Sequence, residues 1–189
     1  MTAPARVLRA IVMAVVMAAS ADRVTAQVSR SEALALVFPD AQISDERIFL
    51  TDAQRQSASR RAGETIESSL VTRYTAIRGG ALLGRAYVDT HTVRTKRESV
   101  LVSLDASGAV KRVDVVAFLE PPEYRAPTAF TDQFTGRRLD DQLRLQRAIR
   151  PLAGATLTAG ALTDAVRRVL AIDAVLGAGT APSAGAAAR

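Results

Sequence analysis

Leu70-Val-Thr-Arg-Tyr-Thr-Ala-Ile77, Gly79-Gly80 and Ala81-Leu-Leu-Gly-Arg-Ala-Tyr-Val-Asp-Thr90 form the stretch that decides the fold. The first run is rich in β-branched and aromatic residues, which suit a pleated, half-buried surface. The Gly-Gly pair supplies the left-handed backbone positions that a tight hairpin turn demands. The second run returns as a strand, with Leu83, Tyr87 and Val88 as its apolar members. Toward the C-terminus, Ser99-Val-Leu-Val-Ser-Leu104 reads as a third strand, Asp105-Ala-Ser-Gly108 as a turn and Val110 to Leu119 as a fourth. Strands joined by short turns pair antiparallel.

Helices flank this centre. Ser29 to Phe38 reads as a first helix, with Ser31 as a cap, Ala33, Leu34, Leu36 and Val37 as its apolar face and Pro39-Asp40 as its stop. Ile43 to Leu50 fits a short strand. Thr51-Asp52 caps a polar, surface-type helix over Ala53 to Ala62, which Gly63 ends. Past the sheet, Phe130 and Phe134 stand four apart before Gly136, at the spacing of core residues on a short helix. An Arg-rich segment, 137–150, uses Leu139, Leu143 and Leu145 as apolar contacts. A closing helix spans Ala161 to Leu176, with Leu162, Val166, Val169, Ile172 and Leu176 on one face and Arg167 and Arg168 on the other. The expected class is α+β: an antiparallel sheet of about four or more strands, with helices from both ends of the chain covering one face.

Composition narrows the chemistry. The chain has 189 residues, enough for one domain with a proper core. Hydrophobic content is 48% but aromatics only 4%, so the core is mainly aliphatic. The absence of cysteine excludes disulfides, thiolate metal sites and a cysteine nucleophile, and the single histidine excludes a His-rich metal site. The net charge is +6, almost all of it arginine, with Lys96 and Lys111 the only lysines. Basic and acidic residues are interspersed and lack aromatic stacking platforms between them, which argues against a nucleic-acid partner.

Residues 1–26 carry the pattern of an export signal. Arg6 and Arg9 precede the apolar run Ala10 to Ala19, and Val24-Thr25-Ala26 offers a cleavage site before Gln27. The apolar run is well short of the ~20 residues of a spanning helix. The same segment kept uncleaved would act as an anchor. The expected location is therefore exported: periplasmic, or the outer face of the inner membrane of a bacterium. From Gly177 to Arg189 the chain is Gly, Ala, Ser, Thr and Pro with a last Arg, the composition of a disordered tail.

Two segments carry candidate chemistry. Asp89-Thr-His-Thr-Val-Arg-Thr-Lys96 brings Arg94, whose forked donors suit phosphate oxygens, beside His91, which reads either as structural or as part of a site. Ala153-Gly154-Ala155-Thr156-Leu157-Thr158 combines small residues, two hydroxyls and a helix start. A helix start presents unpaired N–H groups and a positive dipole end, to which a phosphate can bind. No Gly-x-Gly-x-x-Gly and no Gly-Lys-Ser/Thr loop is present, so a dehydrogenase or an NTPase is not expected.

The Gly-Ala-Thr-Leu-Thr run near the C-terminus of an exported chain resembles a known family. It is similar to the FMN-binding domain shared by the flavin-carrying subunits of the Rnf electron-transport complex and of the sodium-translocating NADH:quinone reductase. That family's motif reads Ser/Thr-Gly-Ala-Thr-x-Ser/Thr, and its Thr after Gly-Ala carries FMN through a phosphoester placed by a flavin transferase that uses FAD. The resemblance maps this Thr onto Thr156 and the later hydroxyl onto Thr158, with Gly154, Ala155 and Leu157 completing the motif. Ala153 stands where the family has Ser/Thr, and Arg150 where an Asp is usual. Glu120-Pro121-Pro122-Glu123-Tyr124 is similar to the family's Glu-Pro-Pro-Glu-Tyr, which implies that Glu120 and Pro121 lie near the flavin. Val37-Phe38-Pro39-Asp40-Ala41, followed by a Thr-Asp-capped helix, is also similar to exported members. The resemblance implies an FMN-binding domain over 27–176, acting as a redox carrier or as the electron-transfer part of a membrane complex rather than as a stand-alone enzyme. It names no catalytic residue and no metal. A flavin-free or reversibly FMN-binding interaction module on the same fold is the alternative, with Thr156 and Thr158 then serving to cap the last helix.

Overall fold

The expected hairpin is the centre of the computed structural model, which describes residues 28–178. The expected signal segment, 1–26, and all of the expected tail beyond Ala178 lie outside the described residues. Strands β2 (Leu70–Arg78) and β3 (Ala81–Thr92) pair antiparallel from Arg73↔Tyr87 to Arg78↔Ala81. Gly79 and Gly80 turn the chain at φ +57° and +80°. β4 (Arg97–Asp105) and β5 (Val110–Phe118) follow, and β1 (Gln42–Phe49) adds to the free side of β2. The result is one five-stranded antiparallel sheet in the order β1-β2-β3-β4-β5, a mixed α+β fold with helices from both ends of the chain.

Helices α1 (Arg30–Val37), α2 (Asp52–Ala62), α3 (Thr128–Thr131) and α4 (Thr156–Ala178) complete the fold. α1 is capped by Ser29 in a capping box with Glu32, rather than by Ser31. α2 has the same device in Thr51 and Gln54, and Gly63 closes it in the left-handed conformation. The two end helices do not share a face. α4 and α2 pack with Tyr87, Val100, Val102 and Leu104, whereas Leu34 and Val37 of α1 pack with Tyr74, Ala76, Ala86 and Leu101 on the opposite side. Val100, Leu101 and Val102 are all fully buried, because β4 lies between β3 and β5 and is covered on both faces.

Three local readings change. The polar helix α2 is not a free surface element: Ala58 and Ala62 are buried against α4. α4 starts at Thr156, five residues before the apolar periodicity sets in, and runs two residues past Leu176. Phe130 and Phe134 are core residues, with ring centroids 5.8 Å apart in an edge-to-face contact. They lie on α3 and on the 3-10 turn Asp132–Phe134 that follows it, rather than on one continuous helix.

Candidate functional site

α4 runs back along β3, from a start near the β3–β4 turn to Asp173, which Arg85 and Tyr87 hold at 2.5 and 2.8 Å. Its first turn therefore meets the 94–96 loop. Gly154 takes φ +77°, a conformation that favours glycine, and swings the chain into the helix. Ala155 is the capping position, since its carbonyl accepts the first helical bond from the Ala159 N–H at 3.0 Å. An alanine there has no side chain to offer the free N–H groups. Neither Thr156 nor Thr158 makes a side-chain hydrogen bond among the described residues, so neither hydroxyl caps the helix. Thr156 and Leu157 are exposed, and Thr158 is buried.

A cavity of about 250 Å³ opens at this terminus, lined by Gly154 to Thr158, Arg94 and Tyr124. Residues separated by some sixty positions thus meet at one place. Arg94 lies over the Tyr124 ring, 4.8 Å from its centroid, in a cation–π contact that holds the guanidinium beside the helix start. Tyr124 is set by the short 3-10 turn Pro122–Tyr124, where its N–H donates to the Pro121 carbonyl at 3.0 Å.

Glu120 works behind this cavity rather than in it. One carboxylate oxygen accepts the backbone N–H groups of Thr95, Lys96 and Arg94 at 2.7, 2.8 and 3.2 Å. The bonds from Thr95 and Lys96 are the main reason that its carboxyl is held below the usual range. Glu120 is thus the clasp of the loop that carries Arg94. Pro121 is exposed and shapes the turn without lining the cavity. Arg150 is also outside the cavity, since its backbone N–H and Nε both donate to Gln133, the N–H at 2.9 Å.

A second polar cluster sits farther along β3 on the α4 side. His91 is clamped between Asp89 and Glu98, each carboxylate 2.9 Å from one ring nitrogen. Burial opposes the imidazolium, but the hydrogen bonds and charges of the two carboxylates outweigh it and push His91 up to about 9. Asp89 also receives both arms of Arg168, at 2.7 and 2.8 Å, and Arg168 reaches Glu64 at 3.0 Å. Glu98 is fully buried, and its second oxygen has no partner. With both nitrogens committed to carboxylates, His91 is a structural cation and not a free base. Sequence spacing singled out neither Glu64 nor the second carboxylate on His91, Glu98. The register places it directly across from His91.

No family model matches this chain, and no curated protein matches it. Among the described residues no group of His, Cys, Asp or Glu could hold a metal ion, and no helix is long and apolar enough to cross a membrane.

Proposed function

We propose that this is an exported FMN-binding protein, a periplasmic electron carrier with FMN esterified to Thr156. The observation that carries the reading is the meeting of Arg94 with the uncapped first turn of α4 around one cavity. The free N–H groups and the positive helix end favour a phosphate, and the guanidinium adds charge-assisted donors. The Thr156 hydroxyl is exposed and engages no other group among the described residues, as an attachment point requires. In this reading Gly154 to Thr158 and Arg94 hold the phosphate end, Tyr124 positions Arg94, and Glu120 and Pro121 shape the loops behind them. The flavin supplies the redox chemistry; the chain supplies tethering, orientation and charge. Maturation calls on a flavin transferase, and the redox partner is a membrane electron-transfer complex or another exported carrier.

The same cradle supports reversible FMN binding, because its donors serve a phosphate whether or not an ester forms. The test is the intact mass of the exported protein co-expressed with a flavin transferase. Covalent attachment adds one FMN on the peptide holding Thr156, and Thr156→Ala loses it while keeping the fold. Yellow colour released by denaturation identifies the reversible mode. A colourless, unmodified protein in the presence of transferase and FMN refutes both.

A further inference from the structure

β2 and β3 stop pairing at Arg73↔Tyr87 although neither strand ends there. Leu70 to Thr72 stay paired with β1, and Val88 to Thr92 stay paired with β4. Two strand edges therefore face each other across a wedge-shaped cleft of about 730 Å³. It is separate from the cavity beside Thr156 and is nearly three times its volume.

The two sides of the cleft differ in chemistry. Val71, Val169 and Ile172 line the side toward α4, and Arg30, Tyr74 and Arg97 line the side toward α1. The carboxylate on its floor is committed: Asp89 pairs with Arg168 and His91. The guanidiniums at its rim have no carboxylate partner among the described residues. Arg30 donates to the Tyr74 hydroxyl at 2.9 Å and makes no ion pair, and Arg97 makes none either among the described residues. Glu67 is the one uncommitted carboxylate at the rim among the described residues, which leaves the mouth positive.

Unpaired strand edges offer alternating donors and acceptors that an extended chain can satisfy. We propose that this cleft binds an extended segment of another protein as an added strand along Val88–Thr92, with alternate residues apolar and acidic. A strand's side chains alternate between faces. One set would rest on Val169 and Ile172, and the other would meet Arg30 and Arg97. The chain's own ends do not match this pattern, since residues 1–27 and 179–189 together hold one acidic side chain, Asp22.

The probe is a fluorescein-labelled hexapeptide, Glu-Val-Glu-Val-Glu-Val, titrated with the full chain at low salt and followed by anisotropy. The peptide binds, and amide NMR shifts centre on Leu70–Thr72 and Val88–Thr92. Arg30→Ala combined with Arg97→Ala weakens binding by about tenfold, from two exposed ion pairs. Both arginines are exposed, so the variant keeps its fold, which circular dichroism checks. The Lys-Val counterpart binds at least as much more weakly. Methylating alternate peptide nitrogens abolishes binding on one parity, because only one set of N–H groups faces β3. Equal binding of the Lys-Val peptide, indifference to methylation on both parities, shifts elsewhere, or no binding at millimolar peptide overturns the proposal.

Discussion

His91 makes the stability of this protein fall as pH rises above neutrality. Its imidazole ordinarily titrates near 6.5, and the clamp between Asp89 and Glu98 moves it to about 9. Between those values the folded chain keeps a proton that the unfolded chain has lost. The stabilisation is fully present below about pH 6.5 and is lost as pH climbs through about 9. At ~1.36 kcal/mol per pH unit, the whole window amounts to about 3 kcal/mol, a large part of the ~5–15 kcal/mol that holds a typical domain together. The window is also clean, because the chain has one histidine and no cysteine. The assay is urea denaturation at pH 6, 7, 8 and 9, beside an NMR titration of the His91 ring. His91→Gln removes the slope; the α-amino group, which titrates in the same range, is common to both proteins and cancels. An imidazole titrating near 6.5, or wild-type and His91→Gln curves with the same slope, would refute the argument.

Two further expectations concern residues that tie distant segments together. Arg167 is 1% exposed and donates to the carbonyls of Ala62, Asp140 and Leu143 at 2.9, 2.7 and 3.0 Å. Arg167→Met leaves these carbonyls without their cationic donor and costs about 3 kcal/mol in urea unfolding; a loss under about 1 kcal/mol would show that the three bonds are not formed in solution. Glu120→Gln keeps the shape but weakens the clasp on Thr95 and Lys96. Hydrogen exchange at residues 94–96 then speeds up, and the acid sensitivity of this loop disappears. In the wild type the clasp is present above the ordinary carboxylate range and is lost as pH falls through the lowered value of Glu120. Unchanged exchange in Glu120→Gln at pH 7 would remove its role as clasp.

Much of the sheet was legible because its contacts are local. Consecutive strands joined by Gly79-Gly80 and by Asp105 to Gly108 meet their neighbours across short turns, and alternation marks which residues face inward. The both-sided burial of β4 was also present in the run Val100-Leu101-Val102, since adjacent apolar residues on a strand point to opposite faces. Such a run calls for cover on both faces, which α4 and α1 provide. The start of α4 was not legible, because Thr156 to Gly160 carries hydroxyls and glycine where helical periodicity is faint.

The sequence by itself determined the α+β class, the hairpin succession, and the stops and caps of α2. These depend on propensity, period and turn chemistry within a dozen residues. Tertiary structure alone decided the rest. It brought Arg94 to the first turn of α4, made Glu120 a clasp, buried Arg167 among three carbonyls and set Glu98 against His91. Each of these is a polar side chain held against a partner brought near by folding. A polar residue carries no mark of its future partner, so a linear reading assigns it to solvent until the chain has folded around it.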